Sequence, residues 1–140
     1  MLYDPKIRAR MAREKRRLNA MRRIEQIDKV IAELEGTAPG SAGWCRGSLH
    51  SLVRLGLLEP GESIDVQMKS CLVGAVQMHV PQPRARFYEM LARHLPSGYG
   101  RMACSRLMYF NDAQCEANEV LALLRKARAH QAQLAGLVDG

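Results

Sequence analysis

The sequence predicts an all-α fold, a compact helical bundle entered by one long N-terminal helix. Three observations lead there. From Lys6 to Glu35 no glycine or proline interrupts a run rich in Ala, Arg, Met, Leu, Glu and Lys, which lose little side-chain freedom in a helix. The segment Cys71-Leu72-Val73-Gly74-Ala75-Val76 is apolar on every side, as a central buried helix would be. Near the C-terminus Val120, Leu121, Leu124 and Ala127 recur at helical spacing.

Asp4 and Pro5 read as an N-cap and a first-turn proline, so a helix starts at once and runs until Gly36 stops it. About 31 residues at 1.5 Å each span roughly 46 Å. The second half carries a broad apolar face of Ala20, Ile24, Ile27, Ile31 and Leu34, widened by Val30, that should pack on the domain. The first half offers only Ile7, Met11 and Leu18, which at about 100° per residue lie nearly opposite that face. The buried face therefore changes sides near Leu18, and the first turns are expected to project. This divides the chain into a basic helical arm over residues 1–19 and a helical domain over residues 20–140, continuous through one helix.

Residues 36–43, small and with one proline, predict a flexible loop. Residues 44–59 are ambiguous: Ser48–Val53 suits a short strand or a helical turn, which allows one small β-hairpin near residues 47–59. Ser63 can cap a helix from Ile64 to Val80, stopped by Pro81 and Pro83. Arg84–Leu95 is amphipathic through Phe87, Met90, Leu91 and His94, and Met102–Phe110 makes another short helix. Asn111-Asp112 then punctuates the chain ahead of a last helix from Ala113 to Leu134.

A chain of 140 residues, 47% hydrophobic and 25% charged, can bury a core without disulfide or metal staples. No segment approaches the roughly 20 apolar residues of a spanning helix, and no apolar run follows the N-terminal charges as a signal peptide requires. Cys45, Cys71, Cys104 and Cys115 include no C-x-x-C pair and suit free thiols in a reducing interior. The expected location is the cytoplasm, bacterial, or of the host if the protein is phage-encoded.

The charge is unevenly placed. Lys6, Arg8, Arg10, Arg13, Lys15, Arg16, Arg17, Arg22 and Arg23 face only Asp4 and Glu14, so residues 1–23 hold the chain's entire net charge of +7. Twelve basic and twelve acidic residues balance in the remainder. Lys6, Arg10, Arg13 and Arg17 run along one flank of the Ile7, Met11, Leu18 seam, and Arg8, Lys15 and Arg22 along the other. Concentrated positive charge calls for a polyanionic partner.

Sites for chemistry are sparse. His50, His79, His94 and His130 form no H-x-x-x-H and no Cys–His ligand set; Cys45 with His50 is the one close combination. A Cys45 nucleophile activated by Arg46 and His50 is conceivable, but a semi-buried thiol beside Trp44 explains the same residues. Glu59 and Glu62 flank a turn as solvated carboxylates, and no phosphate-loop or dinucleotide fingerprint occurs. The expectation is a non-enzymatic protein with no metal and no cofactor.

Three blocks carry a resemblance: Gly43-Trp44-Cys45-Arg46-Gly47, Cys71-Leu72-Val73-Gly74-Ala75-Val76, and Phe110-Asn111-Asp112 leading into Asn118-Glu119-Val120-Leu121. Their order and spacing resemble an uncharacterised helical domain family of bacteria, notably actinobacteria, and their phages, with G-W-x-x-G, C-A-L-G-A-L and W-N-D blocks. Phe110 stands where that family has tryptophan, and the cap of the last helix is altered around Cys115-Glu116. The resemblance covers residues 20–131 and implies a helical fold without implying an activity. Each block also has a packing account: Trp44 as an apolar anchor, Cys71 as a small hydrophobe, Gly74 for close helix approach, and Asn111 or Asp112 as a cap for the last helix.

The leading expectation is a protein that engages nucleic acid or a nucleoprotein complex through Lys6–Arg23. The alternative is a phage- or mobile-element-encoded accessory protein that inhibits a host protein machine, its Ile7, Met11, Leu18 seam docking in an acidic-rimmed groove. A membrane-surface role lacks the Trp, Phe or Leu-rich face that insertion needs, and a merely solvating helix is the bland reading. The oligomeric state is left open.

Overall fold

The uninterrupted N-terminal run becomes one helix, α1 (Pro5–Glu35). In the computed structural model, which describes residues 4–46 and 68–137, Asp4 Oδ1 accepts a 2.8 Å hydrogen bond from the Lys6 backbone N–H. Pro5 occupies the first turn, where its missing N–H costs nothing. At the other end Gly36 adopts the left-handed conformation, and its N–H reaches the carbonyls of Ala32 and Glu33.

Burial along α1 begins at Ala20 and continues through Ile24, Ile27, Val30, Glu33 and Leu34, with Ile31 partly buried against the core. The partner on this side is α5 (Asn118–Leu134). Ala132 and Ala135 close on Ala20 and Ile24. Arg128 forks onto Asp28 through Nε at 2.6 Å and Nη2 at 3.2 Å, and Arg125 reaches Glu35 at 3.5 Å. Position along α1 rises as position along α5 falls, so the helices are antiparallel. Residues before Ala20 lie beyond this contact.

After Gly36 the chain does not remain a loop to residue 43. Ser41–Trp44 forms β1, paired in parallel with β2 (Met68–Ser70). Ser41 is buried; its hydroxyl donates to the Glu33 carbonyl and accepts from the Gly43 N–H at 3.0 Å. Side-chain bonds of this kind let a short buried strand leave a helix end without orphaned backbone groups. Gly43 sits at φ 94°, and a Cβ there would stand 3.4 Å from the Leu34 carbonyl oxygen. Gly43→Ala is therefore expected to cost about 1–2 kcal/mol from the left-handed backbone, read as a lower urea midpoint.

The second strand corrects the expected helix from Ile64. Helix α2 is Leu72–His79, and Cys71 is its N-cap, its sulfur accepting from the Gly74 N–H at 3.2 Å. Cys71 is buried as expected of a small hydrophobe, yet it also caps. No glycine or proline separates Ser63 from the apolar run at Cys71–Val76, so the sequence offers no break between Met68–Ser70 and the helix that follows. Residues 64–67, the Ser63 cap, and the expected strand, turn or hairpin at 47–59 lie outside the described residues.

Helix α2 is central. Leu72, Ala75 and Val76 are fully buried with Ile27, Val30, Leu91, Leu107, Val120 and Leu124 in one core shared by α1, α2, α3 (Ala85–Ala92), α4 (Ala103–Ala113) and α5. Full burial of each large aliphatic side chain contributes about 1.5–3 kcal/mol. Glu33, 2% exposed, meets His79 Nε2 at 2.8 Å and ties α1 to the end of α2. The fold is all-α with one small parallel sheet among the described residues.

Asn111 and Asp112 correct a third expectation. They lie inside α4 rather than punctuating it, and α5 begins only at Asn118 behind Ala117, which makes no side-chain cap. Asn111 is 1% exposed. Its Oδ1 accepts from Trp44 Nε1 at 2.6 Å and from the Leu72 N–H at 3.0 Å. Its Nδ2 donates to the Cys45 carbonyl at 3.3 Å and to Asp112 Oδ1 at 3.2 Å. Four bonds fill the capacity of one carboxamide. Asn111 thus joins the strand carrying Trp44, the start of α2 and the end of α4.

Candidate functional site

The arm is the part of α1 that precedes Ala20. Among the cations, Lys6, Arg8, Arg10, Arg13, Lys15, Arg16 and Arg22 are exposed, while Arg17 and Arg23 are half-buried. Glu14 is taken up by Arg17, whose Nη2 and Nε reach its two oxygens at 2.7 and 3.1 Å. That fork holds the Glu14 carboxyl below its ordinary range. A third contact sets Arg17 Nη1 3.1 Å from Met21 Sδ, and Arg22 Nη2 donates to Asn19 Oδ1 at 3.3 Å. The seam between the flanks is open: Ile7 is 42%, Met11 63% and Leu18 53% exposed. Met11, Glu14, Lys15, Leu18 and Asn19 line a shallow depression along it.

Arg23 marks where the arm meets the domain. Burial, then the charges of Arg93, Arg22 and Arg86, push its guanidinium below its ordinary value. Cations of the α3 region therefore face the base of the arm, which the balanced domain total concealed. Between residues 84 and 106 the sequence has Arg84, Arg86, Arg93, Arg101 and Arg106 against Glu89 alone, a local excess of +4. Counting charge in windows rather than over the whole domain reveals it.

The Cys45 site is arranged against a thiolate. Burial, ahead of a nearby Cys71 and with Asp112 adding to it, raises the thiol above its ordinary value; Lys69 opposes the shift. Arg46 turns away from Cys45, its Nε donating to the Gln114 carbonyl at 3.0 Å and its Nη2 lying 3.5 Å from Cys115 Sγ. His50 lies outside the described residues. All four cysteines are free thiols. Among the described residues no three His, Cys, Asp or Glu side chains gather to hold a metal ion, and no helix is long and apolar enough to cross a membrane.

His94 is the titratable group with the clearest consequence for stability. Its Nε2 is buried and has no hydrogen-bond partner among the described residues, and its ring packs edge-on to His130 at 5.5 Å. Burial first, then the charges of His130, Lys126 and Arg93, lower its pKa below the ordinary 6.5. The unfolded chain thus takes up a proton on this ring more readily than the folded one. Stability is fullest above that ordinary value and falls as pH drops through it towards the lower folded pKa. Thermal unfolding across this window should show the melting temperature falling on acidification, with a flatter dependence in His94→Leu.

No curated protein and no solved structure matches the chain. A family model described as a family of unknown function, DUF6197, matches residues 24–130. The matched span holds β1, β2, α2, α3, α4 and the Asn111 junction, and it starts one residue after Arg23, so all nine cations of Lys6–Arg23 precede it. It takes in more than half of the 140 residues, and the chain belongs to this family of unknown function.

Proposed function

We propose that this chain is a non-enzymatic, cytoplasmic binding protein that engages nucleic acid or a nucleoprotein complex through Lys6–Arg23. One observation carries the reading: seven of the nine cations of Lys6–Arg23 sit on the helical segment before Ala20, whose apolar seam turns away from the domain and whose interior carboxylate is occupied by Arg17. Cations on both flanks suit a helix lying between two phosphate rows. A helix about 10–12 Å across fits a major groove about 12 Å wide. The basic run has no aromatic residue after Tyr3, so attraction is to the backbone rather than to stacked bases. Electrophoretic mobility of duplex DNA and of single-stranded RNA, with the full chain and with an Arg10→Gln, Arg13→Gln, Lys15→Gln, Arg16→Gln variant, tests this. Equal affinity of the two proteins rules it out.

The exposure of Ile7, Met11 and Leu18 favours a second reading, in which the seam docks in an acidic-rimmed groove of a host protein machine. Replacing these three residues with alanine separates the two, since a phosphate contact survives that change and groove docking does not.

A further inference from the structure

A cleft of about 1150 Å³ opens between α3 and α4, of the size that takes a small organic ligand. Arg84, Arg93, Arg101 and Arg106 line it against Glu89 alone, which leaves its wall at +3. Tyr88, Ala92 and Met102 supply apolar surface in the same space.

The four arginines are not equivalent. Arg84 is committed, its Nε and Nη2 donating to the carbonyls of Val80 at 2.6 Å and Gln77 at 3.0 Å at the end of α2. Arg93 and Arg101 are exposed, and neither guanidinium has a hydrogen bond or ion pair among the described residues. Arg106 is the most telling. Its Nε is buried and has no hydrogen-bond partner among those residues. A buried guanidinium N–H is costly to leave unsatisfied, and an oxyanion in the cleft removes that deficit.

We propose that the α3–α4 cleft binds a small organic phosphate, a phosphate monoester on an apolar or planar body. Three guanidiniums with donors to spare among the described residues, and a +3 wall, match a dianion with three terminal oxygens better than a single carboxylate, because arginine binds such oxygens in forked pairs. The ester's organic part lies on Tyr88, Ala92 and Met102. The site lies in the matched domain and does not depend on the arm.

Phenyl phosphate is the probe, titrated into the full chain while the arginine Nε–H resonances are followed by NMR. A saturable shift of the Arg106 Nε–H is expected, with inorganic phosphate binding about tenfold more weakly for want of an apolar body. Arg93→Gln and Arg101→Gln, at exposed positions that leave the fold intact, should each weaken phenyl phosphate by about tenfold, the weight of a charge-assisted contact. The arm variant should bind it as the unmodified chain does. No Arg106 shift, or unchanged affinity in both single variants, overturns the proposal. So does a response that sodium chloride reproduces at equal ionic strength. Displacement by duplex DNA that itself depends on Arg93 and Arg101 also overturns it, by assigning the cleft to a polyanion path.

Discussion

Asn111→Ala is expected to lower stability by about 2–4 kcal/mol, roughly 0.5–1.5 kcal/mol for each of three hydrogen bonds lost. The carboxamide serves three groups at once: the buried Leu72 N–H at the start of α2, and the part-buried Trp44 Nε1–H and Cys45 carbonyl. Against a total of about 5–15 kcal/mol for a domain, this loss is enough to leave a large unfolded fraction at moderate denaturant. Trp44→Phe removes one of those bonds while keeping most of the apolar ring, and about 1 kcal/mol is expected. Asn111→Asp is no rescue. It keeps an acceptor for Leu72 and Trp44 but turns a second oxygen towards the Cys45 carbonyl and Asp112 Oδ1. Urea midpoints of the three variants decide the matter: a loss in Asn111→Ala no larger than in Trp44→Phe would mean that the carboxamide is not a shared junction.

What the sequence revealed and concealed follows from how local each signal is. The extent of α1 was legible because Asp4, Pro5 and Gly36 act within a turn of their own positions, and its packing face because Ile24, Ile27 and Leu34 repeat at the helical period. The inward set of α5, Val120, Leu121, Leu124 and Ala127, was legible for the same reason. The role of Asn111 was not. Its partners lie 39, 66 and 67 positions away along the chain, and locally an Asn-Asp pair reads as a stop or a cap. The three sequence blocks had appeared as separate packing features, and Asn111 binds them into one junction. Cys71 misled in the opposite direction, because cysteine is not among the usual N-cap residues and so gives no local sign of the change from strand to helix that it caps. The arm's charge was visible as a run. The arginines of the α3–α4 region are concealed in the total because acidic residues elsewhere cancel them.

The arm gives the other large expected effect, and salt is the variable that exposes it. If about six of the nine cations of Lys6–Arg23 neutralise phosphates on duplex DNA, log K falls at roughly 0.9 per contact with log salt, so affinity drops by about 10³ between 50 and 200 mM. Removing four of those cations in the Arg10→Gln, Arg13→Gln, Lys15→Gln, Arg16→Gln variant should leave a slope near two contacts, with the largest loss at low salt. The helix itself should persist, since glutamine is nearly as good a helix former as arginine or lysine. The packing face from Ala20 onward is untouched, so circular dichroism and the melting temperature should hold while affinity falls. Replacing Ile7, Met11 and Leu18 with alanine supplies the opposite control, since it leaves every cation in place. A phosphate-bound arm keeps its full salt slope there. A seam-docked arm loses its partner at all salt concentrations, because the energy then comes from buried apolar surface, which moderate salt does not screen. Slopes that remain equal between the unmodified chain and the glutamine variant would exclude the arm as the source of attraction, whatever the absolute affinities.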